Sequence, residues 1–208
     1  LADLFDRIGP GEGDTVVFVG DLVARGPDTR GVLALVRATN GRVVRGNHEE
    51  RLLAARAARA SDGSGARLGA SHAALLAALD EEDWALLDAL SLKVDLPDHG
   101  VRVVHAGVVP GLEWERQDPR LVTRIRSIAD DGTPSERWGR PWGELYTGPP
   151  HVVFGHNAQQ KVQIHPDATG IDTGCVYGGA LTAMVLPEGA APPPGGRRRG
   201  ALLSVPAR

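Results

Sequence analysis

Four short apolar runs in this sequence stop at a glycine turn, and each turn carries a side chain able to bind a metal ion. Residues 15–19 lead into Gly20-Asp21, and residues 42–44 lead into Gly46-Asn47-His48-Glu49. Residues 101–105 end in His105-Ala106-Gly107, and residues 152–155 end in Gly155-His156-Asn157. In an open α/β sheet the ligand crevice lies beyond the carboxyl ends of the strands. One such coincidence means little, whereas four point to strand ends that converge on a metal centre.

The intervening sequence supports a sheet of that kind. Residues 1–8 read as the end of a helix, 15–19 as a buried strand, 29–39 as a helix, 42–44 as a second strand and 48–60 as another helix. That alternation predicts parallel strands joined by helical crossovers. Residues 61–65, Ser-Asp-Gly-Ser-Gly, read as a loop, followed by helices over 68–79 and 81–90, where Trp84, Leu87 and Leu90 recur at helical spacing. After Pro97 the pattern turns to short β-rich runs at 101–105, 152–155, 161–165, 180–186 and 201–205, with little helix except around 142–146. The expected fold class is α/β: two mixed β-sheets packed as a sandwich with helices outside. With 208 residues, 42% of them hydrophobic, one domain over residues 1–208 is expected. The Pro- and Gly-rich stretch 187–200 reads as a flexible loop between the last two strands, and its run Arg197 to Arg199 as solvated.

Charge and composition remove several classes of function. A net charge of −3 gives no bulk drive toward nucleic acid or an anionic membrane. No apolar run is long enough to cross a bilayer, and no segment has the layout of a signal peptide. A lone cysteine, Cys175, cannot form an internal disulfide and suits a reducing compartment, so a cytoplasmic protein is expected.

The residue types at the four turns suit phosphoryl chemistry. A carboxylate can bridge two cations, an amide oxygen is a neutral hard ligand, and imidazoles suit Mn, Fe, Zn or Co. Two such ions roughly 3.5–4 Å apart clamp the attacking oxygen and the phosphoryl oxygens of an in-line displacement. His48 follows Asn47 directly, a placement that suits a general acid protonating the leaving oxygen. Arg25, presented by the Gly26-Pro27 turn, offers a fork for two phosphate oxygens, and Arg126 and Arg45 are further candidates. Arg45 could equally pair with Glu49 or Glu50. Asp21 and Asn47 could each be helix caps, and His72, His99, His151 and His165 read as ordinary surface or core histidines. Caps, however, do not call for a glycine-flanked histidine at two later strand ends.

In order and spacing, GDLVARGP, GNHEE, HAG, VFGH and IDTGCVYGGALTAM resemble the calcineurin-like metallophosphoesterases over most of the chain, from Asp14 to about Pro187. They are most similar to the branch that holds bacterial symmetrical diadenosine tetraphosphatases and the Ser/Thr phosphoprotein phosphatases. The resemblance implies that Asp21 bridges two divalent transition-metal ions, manganese first among them, and that Asn47, His105 and His156 bind one of them. It also implies that His48 is the proton donor, that Arg25 and Arg126 hold phosphate, and that a hydroxide held by the metals attacks phosphorus.

Ala24 bears on the substrate. Phosphoprotein phosphatases resembling this chain carry an aspartate there, paired with the catalytic histidine, whereas the tetraphosphatase branch reads GDLVARGP as here. The implied reaction is therefore hydrolysis of a dinucleoside polyphosphate, diadenosine tetraphosphate to ADP. The alternatives are a Ser/Thr phosphoprotein phosphatase, an RNA 5′-end phosphohydrolase, or a noncatalytic nucleotide-binding relative lacking one metal site. The last draws on one departure: the family's first motif, GDxHG, is absent from these 208 residues. Because the chain opens on Leu1 inside the helix that follows this motif in the family, the strand bearing it is expected upstream. For Trp114, Trp138 and Trp142 packing in the core or the cleft wall is read ahead of base stacking, with Trp142 the first candidate if one of them stacks, and Cys175 reads as packing beneath the Asp172 turn.

Overall fold

A computed structural model describes residues 1–62 and 69–208, Asp62 by its backbone alone. The first half contains α1 (Ala2–Ile8), β1 (Val17–Phe18), α2 (Thr29–Ala38), β2 (Arg42–Val43), α3 (Asn47–Asp62), α4 (Ala70–Ala78) and α5 (Glu81–Asp88). β3 (Lys93–Leu96) and β4 (Val101–Val104) follow, then α6 (Pro119–Val122), β5 (Ser127–Ile128), β6 (Pro134–Ser135) and β7 (Arg140–Pro141). The chain closes with β8 (His151–Phe154), β9 (Gln163–Ile164), β10 (Ala168–Gly170), β11 (Asp172–Thr173), β12 (Ala180–Met184) and β13 (Leu202–Pro206). Ser61 and Asp62 of the expected loop continue α3, and the rest of that loop, with Leu68, lies outside the described residues.

The architecture is α/β with mixed sheets. β1 and β2 pair in parallel, with Val17 opposite Arg42 and Phe18 opposite Val43, joined by the α2 crossover. A five-stranded sheet runs β3-β4-β8-β10-β9, parallel where β4 meets β8 and β8 meets β10, antiparallel at β3 and β9. Two three-stranded sheets, β11-β12-β13 and β6-β5-β7, complete the described strands. The expected α/β class with mixed sheets and helices holds, and among the described residues hydrogen bonding divides the strands into four groups.

Strand periodicity explains how these groups pack. Val101 and Val103 of β4, Val153 of β8 and Val94 of β3 join Val44 in one core, against which Val17, Val19, Met184 and Leu186 pack. The alternate residues Val104, Val152 and Phe154 turn to the opposite core with Trp142, Ile125 and Ala168. A third core lies beneath the helices, where Val23, Leu33, Val36, Val43, Leu52 and Leu87 are buried together. Both faces of the five-stranded sheet are therefore covered, and its ends are left free to present loops.

The run Arg197 to Arg199 is not wholly solvated as the sequence suggested. Arg198 is 1% exposed. Its Nε donates to the Pro193 carbonyl at 3.0 Å, Nη1 to the His165 carbonyl at 2.8 Å and Nη2 to the Pro166 carbonyl at 3.0 Å. A guanidinium offers five donors in a rigid fork, and here the fork staples the segment between β12 and β13 to the β9–β10 hairpin.

Candidate active site

After β1 the chain turns sharply at Gly20 and Asp21, with φ of 87° and 56°. The left-handed region costs a residue with a Cβ on the order of 1–2 kcal/mol, so something must hold Asp21 there. Glu49 does so. Its carboxylate is fully buried and accepts the N–H of Asp21 at 2.9 Å, of Val23 at 3.2 Å and of Gly46 at 2.8 Å. The Gly46 contact is the back-reach of a third-turn-position glutamate to a helix N-cap. Burial, and then the neighbouring Asp21 carboxylate, push the Glu49 carboxyl upward from its ordinary pKa. Asp21 Oδ1 in turn accepts the His48 N–H at 3.1 Å, at the positive end of α3. The close approach explains Gly46: a Cβ there would lie 2.3 Å from Asp21 Oδ1.

His105 directly follows β4 and is 1% exposed. Its Nδ1 lies 2.7 Å from the Val19 carbonyl, which can only accept, so the Nδ1 proton is spent there and Nε2 carries a lone pair whenever the ring is neutral. That Nε2 faces Asn47 Oδ1 at 3.2 Å and Asp21 Oδ1 at 3.4 Å. Three acceptors converging on one point need a proton or a cation between them. Burial pushes the His105 pKa down, but the charge and hydrogen bond of Asp21, together with the Val19 carbonyl and Glu49, leave it raised.

His156 completes the group. It also adopts a left-handed backbone, with φ of 61°, and the preceding Gly155 N–H donates to the His105 carbonyl at 2.7 Å, which ties the two turns together. Asp21, His105 and His156 each bring a ligand atom within 4.8 Å of the others. Burial, followed by the positive field of His105 and Arg126, lowers the His156 pKa to about 3, so its ring is neutral and its lone pair available. One carboxylate, one amide oxygen and two imidazoles form a donor set that fits a divalent transition-metal ion.

His48 borders this group, its Nε2 4.0 Å from Asp21 Oδ2. Arg25 Nε donates to His48 Nε2 at 3.1 Å. Since arginine is always protonated, Nε2 is the bare nitrogen, and Nδ1 carries the proton that is donated to His72 Nε2 at 3.2 Å. Desolvation lowers the His48 pKa against the pull of Asp21. His72, read from the sequence as an ordinary histidine, is not recognisable there as a partner of His48, which lies 24 positions away on another helix.

On the other side, Arg126 Nη1 donates to Asn157 Oδ1 at 3.0 Å, one residue beyond His156. Asn157 is itself buried and held, its carbonyl accepting Gln163 Nε2 at 2.9 Å. Arg45 stands apart: its Nη2 donates to the Leu90 carbonyl at 2.8 Å, while Glu49 is taken up by backbone N–H groups and Glu50 by Arg124. Glu50 instead pairs with Arg124, beside a cleft of about 450 Å³ lined by Asn47, Glu50, Arg51, Ala54 and Arg124.

The tryptophans separate cleanly. Trp142, read first as core or wall packing, is 1% exposed, and its Nε1 donates to the Ala106 carbonyl at 3.1 Å behind the His105 turn, so it is not available to stack a base. Gly107 allows that contact, since a Cβ there would lie 2.2 Å from Trp142 Nε1. Trp114 packs against the same core with Lys93 and Arg102 over its ring. Trp138 alone of the three is exposed, at 61%, with the Arg126 guanidinium 4.8 Å from its ring centre.

Comparison with known proteins adds to this geometry. The profile of a family described as calcineurin-like phosphoesterase matches residues 1–184. A bis(5′-nucleosyl)-tetraphosphatase of Halalkalibacterium halodurans named as asymmetrical is 29% identical over 90% of this chain and 85% of its own length. A symmetrical one from a Janthinobacterium species is 31% identical over 83% of this chain and 82% of its own length. Serine/threonine-protein phosphatase 1 of Salmonella typhimurium is 34% identical over 81% of this chain and 77% of its own length. A crystal structure described as a "putative diadenosine tetraphosphatase" superimposes with a TM-score of 0.83 at 33% identity, covering 100% of this chain and 87% of that one.

Proposed function

The chain belongs to the calcineurin-like phosphoesterases, and we propose that it hydrolyses dinucleoside polyphosphates, diadenosine tetraphosphate to ADP, at a centre of two divalent ions. Membership of the family makes it a hydrolase of phosphoric esters or anhydrides. The observation that carries the reading is the convergence of His105 Nε2, Asp21 Oδ1 and Asn47 Oδ1, three acceptors that a cation reconciles. Asp21, Asn47, His105 and His156 would hold the metal, manganese on this reading, which supplies Lewis acidity and lowers the pKa of a water.

The surrounding side chains then divide the remaining work. Arg25 and Arg126 stand on different sides of the group, reaching it through His48 and through Asn157 respectively, and can grip phosphate oxygens bidentately. When Arg25 turns to phosphate, His48 Nε2 is released and can carry a proton toward the leaving oxygen, helped by the Asp21 carboxylate. His72 keeps the other nitrogen, Nδ1, engaged throughout and so fixes the ring. A cytoplasmic location belongs to the same reading, supported by the single cysteine.

The substrate rests on Ala24 and on the tetraphosphatase names of the relatives. Ala24 packs against the core that contains Val23 and Leu33, so no carboxylate stands at that position beside His48. A phosphoprotein phosphatase is the second reading, favoured by the Salmonella relative. Chromatography of the products of diadenosine tetraphosphate with Mn²⁺ decides between them. Two equivalents of ADP are expected. ATP with AMP would replace symmetrical by asymmetrical cleavage, and turnover of a phosphopeptide with none of the dinucleotide would discard the substrate.

A further inference from the structure

We propose that Tyr177 and Trp138 are the two base-stacking platforms of the substrate, one for each nucleoside of a dinucleoside polyphosphate. The inference rests on the function proposed above and assigns residues that hold the ends of the molecule and not its phosphates.

Four large hydrophobic side chains are conspicuously exposed among the described residues, and the two aromatic ones are Trp138 at 61% and Tyr177 at 67%. Neither lies at random. The Arg25 guanidinium sits 5.1 Å from the Tyr177 ring centre, and that of Arg126 sits 4.8 Å from the Trp138 ring centre. Each arginine placed to hold phosphate is thus paired with one exposed ring, and the two pairs adjoin the Asp21–His105–His156 group, one through His48 and the other through Asn157, the neighbour of His156. In each pair the cation sits over the ring while most of the aromatic side chain stays exposed. An exposed π-face accepts a purine, and contact with the arginine places it within reach of a base whose phosphates that arginine holds.

Both rings stand on well-defined backbone. Tyr177 closes the single 3₁₀ turn Cys175–Tyr177, bounded by Gly174 and Gly178 with φ of 72° and 84°, and Gly174 N–H is held by Asp172 Oδ1 at 3.0 Å. Trp138 lies in the short connection from β6 to β7, where the Arg137 carbonyl accepts Ser127 Oγ at 2.8 Å and the Arg137 N–H donates to Ser135 Oγ at 3.1 Å. Platforms fixed in this way lose little freedom when a base lands on them. The other tryptophans cannot serve: Trp142 is buried, and Trp114 and Trp84 are packed against cores with cations over their rings. A substrate with bases at both ends of a polyphosphate uses both platforms, and a mononucleotide uses one.

The test measures KM for diadenosine tetraphosphate in Trp138→Ala, Trp138→Phe, Tyr177→Ala and Tyr177→Phe, beside the inhibition constant of inorganic tripolyphosphate, which has no base. Base–aromatic stacking removed by alanine should raise KM about tenfold in each alanine variant, while the phenylalanine variants stay within about threefold of wild type. The tripolyphosphate constant should move much less than KM. Equal loss for both ligands would mean that the rings merely place the arginines, and an unchanged KM in both alanine variants would also overturn the proposal. Should wild type fail to turn over the dinucleotide, the proposed function falls and a binding titration judges the platforms alone. For it, chelator-treated protein is titrated with diadenosine tetraphosphate while tryptophan emission is followed. Quenching that disappears in Trp138→Phe supports the platform, and no quenching in wild type contradicts it.

Discussion

The imidazoles of His48 and His72 lie 10° from parallel with ring centres 5.1 Å apart, and Nδ1 of the first is 3.2 Å from Nε2 of the second. His72 is 5% exposed, so water does not compete freely for that proton. Because Arg25 occupies Nε2 of His48, the direction of the chain is fixed: Arg25 to His48, then His48 to His72.

Removing the acceptor while keeping the ring separates orientation from packing. Phenylalanine at position 72 should lower kcat about tenfold or more for an unactivated alkyl phosphate, and less for p-nitrophenyl phosphate, whose leaving group needs little protonation. His72→Gln, whose carbonyl oxygen can accept in place of Nε2, should recover most of the loss. Equal loss on both substrates, without rescue by glutamine, would show that His72 matters only for packing.

Glu49 invites a stability test. Its carboxylate satisfies three backbone donors and holds the left-handed Asp21 turn. Glutamine turns one acceptor into a donor aimed at an N–H, so Glu49→Gln should destabilise the fold by about 2–3 kcal/mol, read by urea unfolding. Manganese affinity should fall with it, read by calorimetry, because Asp21 loses its support. A change within about 0.5 kcal/mol would mean that the turn holds itself.

Much of this was legible in the sequence, for physical reasons that differ by element. α2 and α5 were readable because their apolar residues repeat at helical spacing, and the structure adds the aspartate caps Asp28 and Asp80 at their N-terminal ends. The turns at Asp21, His105 and His156 were readable because their glycines and ligands are local. β3 was not, since Lys-Val-Asp-Leu carries only two apolar residues and owes its place to the cross-strand Asp95–Arg102 pair at 2.6 Å. Arg198 looked solvated because its acceptors are carbonyls of residues up to 33 positions away, which leave no side-chain pattern. His72 and Trp138 were illegible as partners of His48 and Arg126 for the same reason: contacts between distant segments have no spacing signature. Trp142 is core, the reading put first for it, but its rank above Trp138 as a stacking candidate failed because nearness to a motif says nothing about which face of a turn a ring packs behind.

Arg198 should be hard to replace. Lysine has no planar fork, and Arg198→Lys leaves several carbonyls without their donors, for a loss of about 2–3 kcal/mol. Thermal unfolding reads it directly, and an unchanged Tm would show that the 195–201 segment is dispensable to stability.

Acid should weaken the fold through His151. Burial first, and then the charge of Arg198, lower its pKa from 6.5 to about 4. The folded chain therefore resists a proton that the unfolded chain accepts. The stability contributed by the neutral ring is complete above pH 6.5 and is lost as pH falls through about 4. Discounted for partial exposure, this is on the order of 1–2 kcal/mol. In His151→Gln, which can keep the hydrogen bond to Thr169 Oγ1, urea unfolding at pH 7 and pH 4 should show a shallower decline. An identical decline in both proteins would assign acid sensitivity elsewhere.

The most direct measurement of the central claim pairs metal binding with turnover in Asp21→Asn. Chelator-treated wild type and variant are titrated with Mn²⁺ by calorimetry, and hydrolysis of diadenosine tetraphosphate is followed at each metal level. Wild type should bind the ion and gain activity with it, while the variant, folded by circular dichroism, should lose at least about a hundredfold in kcat and most of its metal affinity. Full activity in Asp21→Asn, or turnover in wild type indifferent to metal, would contradict a metal-dependent centre built on Asp21, His105 and His156.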